Sequence, residues 1–297
     1  MPSSATVPGR ISVITGATSG IGRIAAAGLA RRGDVVILVG RDPARGQATL
    51  DQLIADTGNH ALSFLAADLS AMADVRRLAD TIRARHDRID LLVNNAGALF
   101  QLRQDSVDGL ELTFALNHLA YFLLSDLLTE PLRRSGAGRV ISVASGAHRR
   151  AALDFDDLQT THGYSGWRAY QRSKLANILF TKAFARRNAG TGVTAACLHP
   201  GFVATRFGDA NGGLFALALG AAKRLFAESA ETGGQRILFL ATTSDLEPGG
   251  YYVRNSPSAP SPAACSEDAA ERLWQASLEL TRPWREAGAT IEPAAIS

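Results

Sequence analysis

The sequence predicts an α/β fold: a single doubly wound parallel sheet of about seven strands, with helices on both faces. Three observations predict it. Short apolar runs alternate with segments whose apolar residues recur at helical spacing, the pattern of successive βαβ units. A glycine-rich turn joins the first apolar run to the first helical segment. Polar residues and glycines collect at the C-terminal ends of the runs, where open parallel sheets bind ligands.

In chain order, Arg10–Thr15 is a short apolar run suited to a buried strand. Val35–Arg41, Ala61–Asp68, Asp90–Gly97, Gly138–Ser145 and Val193–Gly201 give the second to sixth strands, and Gly249–Arg254 a seventh at the far edge. Helical patterns fill 20–32, 43–57, 71–86, 108–129, 167–189 and 231–243. Gly16, Arg41, Asp68, Asn94 and Ser145 fall at strand ends and therefore at one site. Ser256–Ala264, with three prolines and three serines, reads as an extended polar connector without a functional motif. Ser266 can cap a last helix that carries Glu267 and Asp268 in its first turn, with Leu273, Trp274, Leu278 and Leu280 docking it. The expected organisation is a flexible N-terminus over 1–9 and an α/β domain over 10–255. That domain includes a pocket-covering segment at 202–230, and 256–297 forms the connector and terminal helix, with a mobile end.

The glycine turn reads Thr15-Gly16-Ala17-Thr18-Ser19-Gly20-Ile21-Gly22. Strand, glycine turn and helix form the context of a dinucleotide fingerprint, here spaced Gly-x-x-x-Gly-x-Gly. Gly16 permits the sharp turn, Gly20 admits backbone close to a pyrophosphate, and Gly22 lets the helix pack close to the sheet. The helix start offers unpaired N–H groups to the anion, so the backbone of Thr18, Ser19 and Ile21 belongs to the same site. The fold is therefore expected to be Rossmann-type. The second strand ends Val39-Gly40-Arg41. A cation there, instead of the carboxylate that takes a ribose 2′-hydroxyl, suits a 2′-phosphate and predicts NADP(H). Arg23 adds positive potential, and Asp42 is left to cap the next helix.

Tyr170-Gln-Arg-Ser-Lys174 lies on a helical pattern, which puts the phenol and the ammonium on one face. Lys174 is one of only three lysines beside 28 arginines. A nearby cation is expected to lower the tyrosine pKa from about 10 and make it an acid–base group.

Taken in order, the glycine turn, Asn94-Asn95-Ala96-Gly97 and Tyr170-x-x-x-Lys174 resemble the short-chain dehydrogenase/reductase family over residues 10–255. Gly40-Arg41-Asp42, Asn117-His118-Leu119, Ser173-Lys174-Leu175-Ala176-Asn177 and His199-Pro200-Gly201 resemble its retinol-dehydrogenase-like branch. The resemblance implies that Ser145 holds a substrate carbonyl, that Tyr170 transfers the proton, and that Lys174 poises Tyr170 and binds the nicotinamide ribose. It implies that Asn117 anchors a proton relay. It also implies cofactor contacts from Asp68 and Leu69 at the adenine, from Asn94, Ala96 and Gly97, and from Pro200, Gly201, Val203 and Thr205 at the nicotinamide end. Asp68 has a rival reading as a helix cap ahead of Ala71. His118, His148 and His199 are set aside as acid–base groups because Tyr170 and Lys174 already supply the proton path.

Hydrophobic content of 46% can fill a sizeable core, and a net charge of +3 from scattered arginines does not mark a nucleic-acid surface. Cys197 and Cys265 give no disulfide framework, which suits the cytoplasm, and neither has neighbours at metal-ligand spacing. The apolar stretch Gly212–Phe226 is too short for a transmembrane segment and reads as a lid helix, with attachment to a membrane surface as the lesser alternative.

These readings converge on an NADP(H)-dependent oxidoreductase that moves hydride between nicotinamide and a carbonyl or alcohol of an apolar small molecule. The rival is a catalytically weak, nucleotide-binding redox regulator of the same fold; an isomerase or dehydratase would usually need a larger substrate domain. Related enzymes are often dimers or tetramers, which leaves a homo-oligomer open.

Overall fold

A computed structural model describes residues 9–201 and 229–286. Alternation along the strands builds the molecule. In β1 (Ile11–Thr15), Val13 points to one face of the sheet and Ile14 to the other. Val13 aligns with Ile37 of β2 (Val35–Gly40) and Leu92 of β4 (Leu91–Asn94), and Ile14 aligns with Leu38 and Val93. Each row thus feeds one of two cores.

The sheet runs in the order β3-β2-β1-β4-β5-β6-β7-β8, with β3 at Leu62–Ala66, β5 at Arg139–Val143, β6 at Thr194–His199, β7 at Tyr251–Val253 and β8 at Ser256–Pro257. β1 to β7 are parallel, so the direction of winding reverses between β1 and β4. The sequence reading stopped at seven strands. The eighth is a two-residue strand antiparallel to β7, taken from the proline-rich connector; an edge position tolerates proline because no outer ladder needs its missing N–H.

One face is covered by α1 (Gly20–Arg31), α2 (Pro43–Thr57) and α8 (Ala230–Thr242). α1 and α8 meet through glycine notches. A Cβ on Gly28 would stand 2.7 Å from Leu238, and one on Gly234 would stand 2.5 Å from Ile24. The opposite face carries α3 (Met72–Arg85), α5 (Ala120–Leu127), α7 (Gly166–Arg187) and the terminal α9 (Glu267–Glu286). Ser266 does cap α9, its Oγ accepting from Ala269 N at 3.1 Å. Leu273 and Trp274 are buried, and Arg187 lies over the Trp274 ring at 4.2 Å.

The helix expected over 108–129 is broken. A short α4 (Leu112–Phe114), capped by the buried Glu111, passes into a π turn at Ala115–Leu119 before α5 begins. A separate α6 (Thr129–Arg134) follows. π turns insert one residue and often mark functional sites. This one carries Asn117.

Among the described residues no helix is long and apolar enough to cross a membrane. Gly212–Phe226, and most of the expected covering segment 202–230, lie outside the described residues, as do residues 1–8 of the N-terminus expected over 1–9 and the last eleven positions of the sequence.

Candidate active site

The glycine turn closes against the end of β4. Gly16 has φ +65° and Gly20 φ +53°, backbone that glycine adopts without strain. A Cβ on Gly22 would stand 2.4 Å from Gly16 O and 2.5 Å from Asn95 Nδ2. Gly22 is therefore required by closure of the turn itself, a more local reason than helix-to-sheet packing. Asn95 Nδ2 donates to Thr15 O at 2.8 Å and to Gly16 O at 3.2 Å. Thr15 Oγ1 accepts from Asn95 N at 2.8 Å and from Ala96 N at 3.1 Å. These bonds bridge the β1–β4 switch point. The resemblance implies that Asn94 and Asn95 together stabilise the central sheet and line the cofactor; Asn95 is the one that clasps the glycine turn. Asn94, its neighbour, is fully buried and donates to Ser125 Oγ at 2.9 Å, so its side chain ties the sheet to α5.

Ser19 is the N-cap of α1, yet its side chain makes no capping bond, and the first turn holds no acid. The helix start therefore keeps its positive end and its N–H groups for an anion. Thr18 packs on Gly40, whose Cβ would stand 2.7 Å from Thr18 Cγ2, which brings the turn against the end of β2. Arg41 follows, exposed. Asp42 spends its carboxylate capping α2, accepting from Arg45 N at 3.1 Å. Arg23 reaches Asp56 at 4.0 Å on the surface. These features fit a dinucleotide with an additional phosphate near Arg41.

Asp68 is not the cap of α3. Its Oδ1 accepts from Ser70 N at 3.0 Å and Ser70 Oγ at 2.7 Å, while Asp108 accepts from Met72 N. Leu69 is buried in the core and Ile21 packs on the other one. Pro200 O accepts from Arg236 Nη1 at 2.7 Å, and Gly201 follows with φ +95°. Val203 and Thr205 lie outside the described residues.

The four expected chemical residues come together where β4 and β5 end. Tyr170 is hydrogen-bonded to Ser145. Lys174 Nζ donates to Val143 O at 2.9 Å. Asn117 is paired on both edges with the backbone of Ala98, accepting from its N–H and donating to its carbonyl, each at 2.9 Å. It also donates to Ser173 Oγ at 3.0 Å, and Ser173 donates to Tyr170 O at 2.8 Å. Gly97 makes room for this cluster, since its Cβ would stand 3.1 Å from Asn117 Oδ1 and 3.5 Å from Lys174 Nζ.

The expectation of a lowered tyrosine pKa is overturned. Burial pushes Tyr170 up to about 12, and the bond with Ser145 opposes this only in part. Burial also pulls Lys174 down to about 7. Both groups are more than nine-tenths buried, so loss of hydration of the charged forms dominates.

The three histidines face other partners. His118 is fully buried, near Ser277 Oγ at 2.9 Å, and burial drops its pKa to about 3. His199 Nδ1 accepts from Gly146 N at 3.1 Å. His148 Nδ1 meets Ser145 O at 2.6 Å. Cys197 is a buried strand residue whose Sγ reaches Gly250 O, as a core cysteine should. No group of three or more metal-ligating side chains occurs among the described residues.

The family model for short chain dehydrogenases matches residues 10–212. The chain belongs to the short-chain dehydrogenase/reductase family. It falls in the retinol-dehydrogenase-like branch: human retinol dehydrogenase 13 is 38% identical, covering 94% of this chain and 86% of its own. Mouse retinol dehydrogenase 12 is 39% identical over 92% of this chain and 87% of its own. Among solved structures, the RhlG/NADP active-site complex of Pseudomonas aeruginosa superposes with a TM-score of 0.66 and 28% identity, covering 83% of this chain and 94% of that one. The protein is accordingly an oxidoreductase of CH–OH and C=O groups that works with a nicotinamide cofactor.

Proposed function

We propose that this short-chain dehydrogenase/reductase is an NADP(H)-dependent oxidoreductase of an apolar carbonyl or alcohol, with Tyr170 as its acid–base group. The observation that carries the proposal is the Ser145–Tyr170 pair at the end of β5, with Lys174 fixed behind it by Val143 O.

In this reading Gly16, Thr18, Ser19, Gly20, Ile21 and Gly22 hold the pyrophosphate, Arg41 the 2′-phosphate, and Ala96, Gly97, Pro200 and Gly201 the nicotinamide half. Val203 and Thr205 complete that half on sequence grounds. The bound nicotinamide supplies or accepts the hydride. Ser145 orients the carbonyl oxygen. Tyr170, kept protonated by burial, donates its proton to that oxygen as charge develops there. Lys174, close to neutrality in its titration, restores the proton through the region that Asn117 organises.

The apolar preference rests on two features. Trp167, 48% exposed, stacks on the Tyr170 ring with centroids 5.7 Å apart. The sequence that follows Gly201 carries Phe202, Phe207, Leu214, Phe215, Leu217 and Leu219, and apolar side chains of this kind favour aliphatic, aromatic or isoprenoid groups over sugars. The names of the retinol dehydrogenase relatives point the same way.

Cofactor turnover by purified protein tests this, with NADPH and NADH each run against short polar, long-chain and aromatic aldehydes and ketones. NADPH and an apolar carbonyl should give the highest kcat/KM. Best turnover of small hydrophilic carbonyls would overturn the substrate class, and no turnover with any would favour a regulator.

A further inference from the structure

The loop that carries Ser145 is held from a distant part of the chain. Ser145 is followed by a short 3-10 helix, Gly146–Arg150. Its third residue, His148, is fully buried. His148 Nδ1 lies 2.6 Å from the carbonyl oxygen of Ser145 itself, and Nε2 accepts from Ser261 N at 3.1 Å. A carbonyl oxygen can only accept, so Nδ1 carries the proton; Nε2 must then be bare to receive the Ser261 N–H. Both ring nitrogens are committed, and the ring is neutral. Burial, which also depresses its pKa, agrees. Tyr251 packs against the same ring at 5.1 Å.

A second stitch runs alongside. Arg149 donates to Ala259 O at 3.2 Å, and Ser258 N donates to Tyr251 O at 2.8 Å. On the other flank of the loop, His199 receives Gly146 N. Residues 258–261 thus join the Ser145 loop, although they lie beyond the 10–212 stretch that matches the family model.

We infer that His148 is a positioning residue for Ser145, and that the segment after β8 takes part in catalysis by holding His148 in place. The inference rests on the role of Ser145 proposed above. It also gives a purpose to the connector, read from sequence as lacking a motif.

Four variants test it, with kcat expressed per nucleotide-binding site titrated by NADPH fluorescence, so that unfolded protein does not count. His148→Ala should lose at least tenfold in kcat while the NADPH dissociation constant stays within twofold. His148→Asn keeps an N–H that can reach Ser145 O and should recover most of that loss. Ser261→Pro removes the N–H donor, together with a hydroxyl that makes no hydrogen bond, at a φ of −66° that proline adopts; it should lower kcat severalfold with the dissociation constant unchanged. Ser145→Ala separates the two readings. A kcat in His148→Ala within twofold of the parent, beside an inactive Ser145→Ala, overturns the inference alone. Parent kcat in Ser261→Pro overturns the part played by the terminal segment. An active Ser145→Ala overturns the functional reading and this inference with it.

Discussion

Lys174 Nζ lies over the ring of Tyr170, 5.6 Å from its centroid, and spends its hydrogen bond on Val143 O. The ammonium therefore sits behind the tyrosine instead of bonding its hydroxyl. Burial dominates both groups, so under the proposed function Tyr170 acts as a neutral acid.

Replacing Tyr170 with Phe should lower kcat about 10²–10⁴-fold, the usual worth of a positioned acid–base group. NADPH binding should change little, because the ring and its stacking on Trp167 remain. Steady-state kinetics with a fluorescence titration measures both; a kcat within a few-fold of the parent would remove Tyr170 from its role.

Lys174 makes stability depend on pH in a definite direction. Its pKa falls from 10.5 unfolded to about 7 folded. Between those values the unfolded chain binds more protons, so stability rises as pH increases from about 7. Tyr170, raised from 10.0 to about 12, acts oppositely only above pH 10. Nucleotide-free protein should therefore gain Tm from pH 7 to 9.5. Lys174→Met should be the more stable form at pH 7 and show a flatter curve. Parallel curves for the two proteins would refute this account.

Arg41 should set the choice of nucleotide. A hydrogen bond to a charged group contributes about 1.5–3 kcal/mol, so Arg41→Ala should lose roughly 10- to 150-fold in kcat/KM with NADPH and little with NADH. Unchanged selectivity would disprove the assignment. Asp42→Ala, by contrast, removes the cap on Arg45 N and should cost about 1 kcal/mol of stability without altering selectivity.

Trp167 should discriminate among substrates. Aromatic pairs contribute about 0.5–1.5 kcal/mol beyond area burial. Trp167→Ala should accordingly raise KM for aromatic and long-chain carbonyls several-fold while leaving a two- or three-carbon aldehyde near parent values. Equal effects on all substrates would mean that the indole only supports Tyr170.

The strands and the glycine turn were legible in sequence because each depends on local features: alternation, a run of glycines, a helix start beside them. Gly16 and Ser145 follow the C-terminal ends of β1 and β5, as the strand runs implied, and Lys174 of α7 reaches the same end through Val143 O. The π turn at Ala115–Leu119 was not legible, since the extra residue leaves the apolar spacing of 108–129 almost unchanged. Nor were the partners of His148: Ser261 lies 113 residues away, and its donor is backbone, which carries no residue-type signal. The Tyr170 pKa was misjudged because spacing reports that two charges are near, but not that both are buried.

Arg236 holds Pro200 O, and Ser229, seven positions earlier, caps the same helix by accepting from Thr232 N. Pro200 and Ser229 are therefore both tied to α8, which is in turn notched into α1 beside the glycine turn. A side chain added at Gly28 or Gly234 should therefore push on Pro200 and on the glycine turn together, and weaken both ends of the proposed nucleotide site at once.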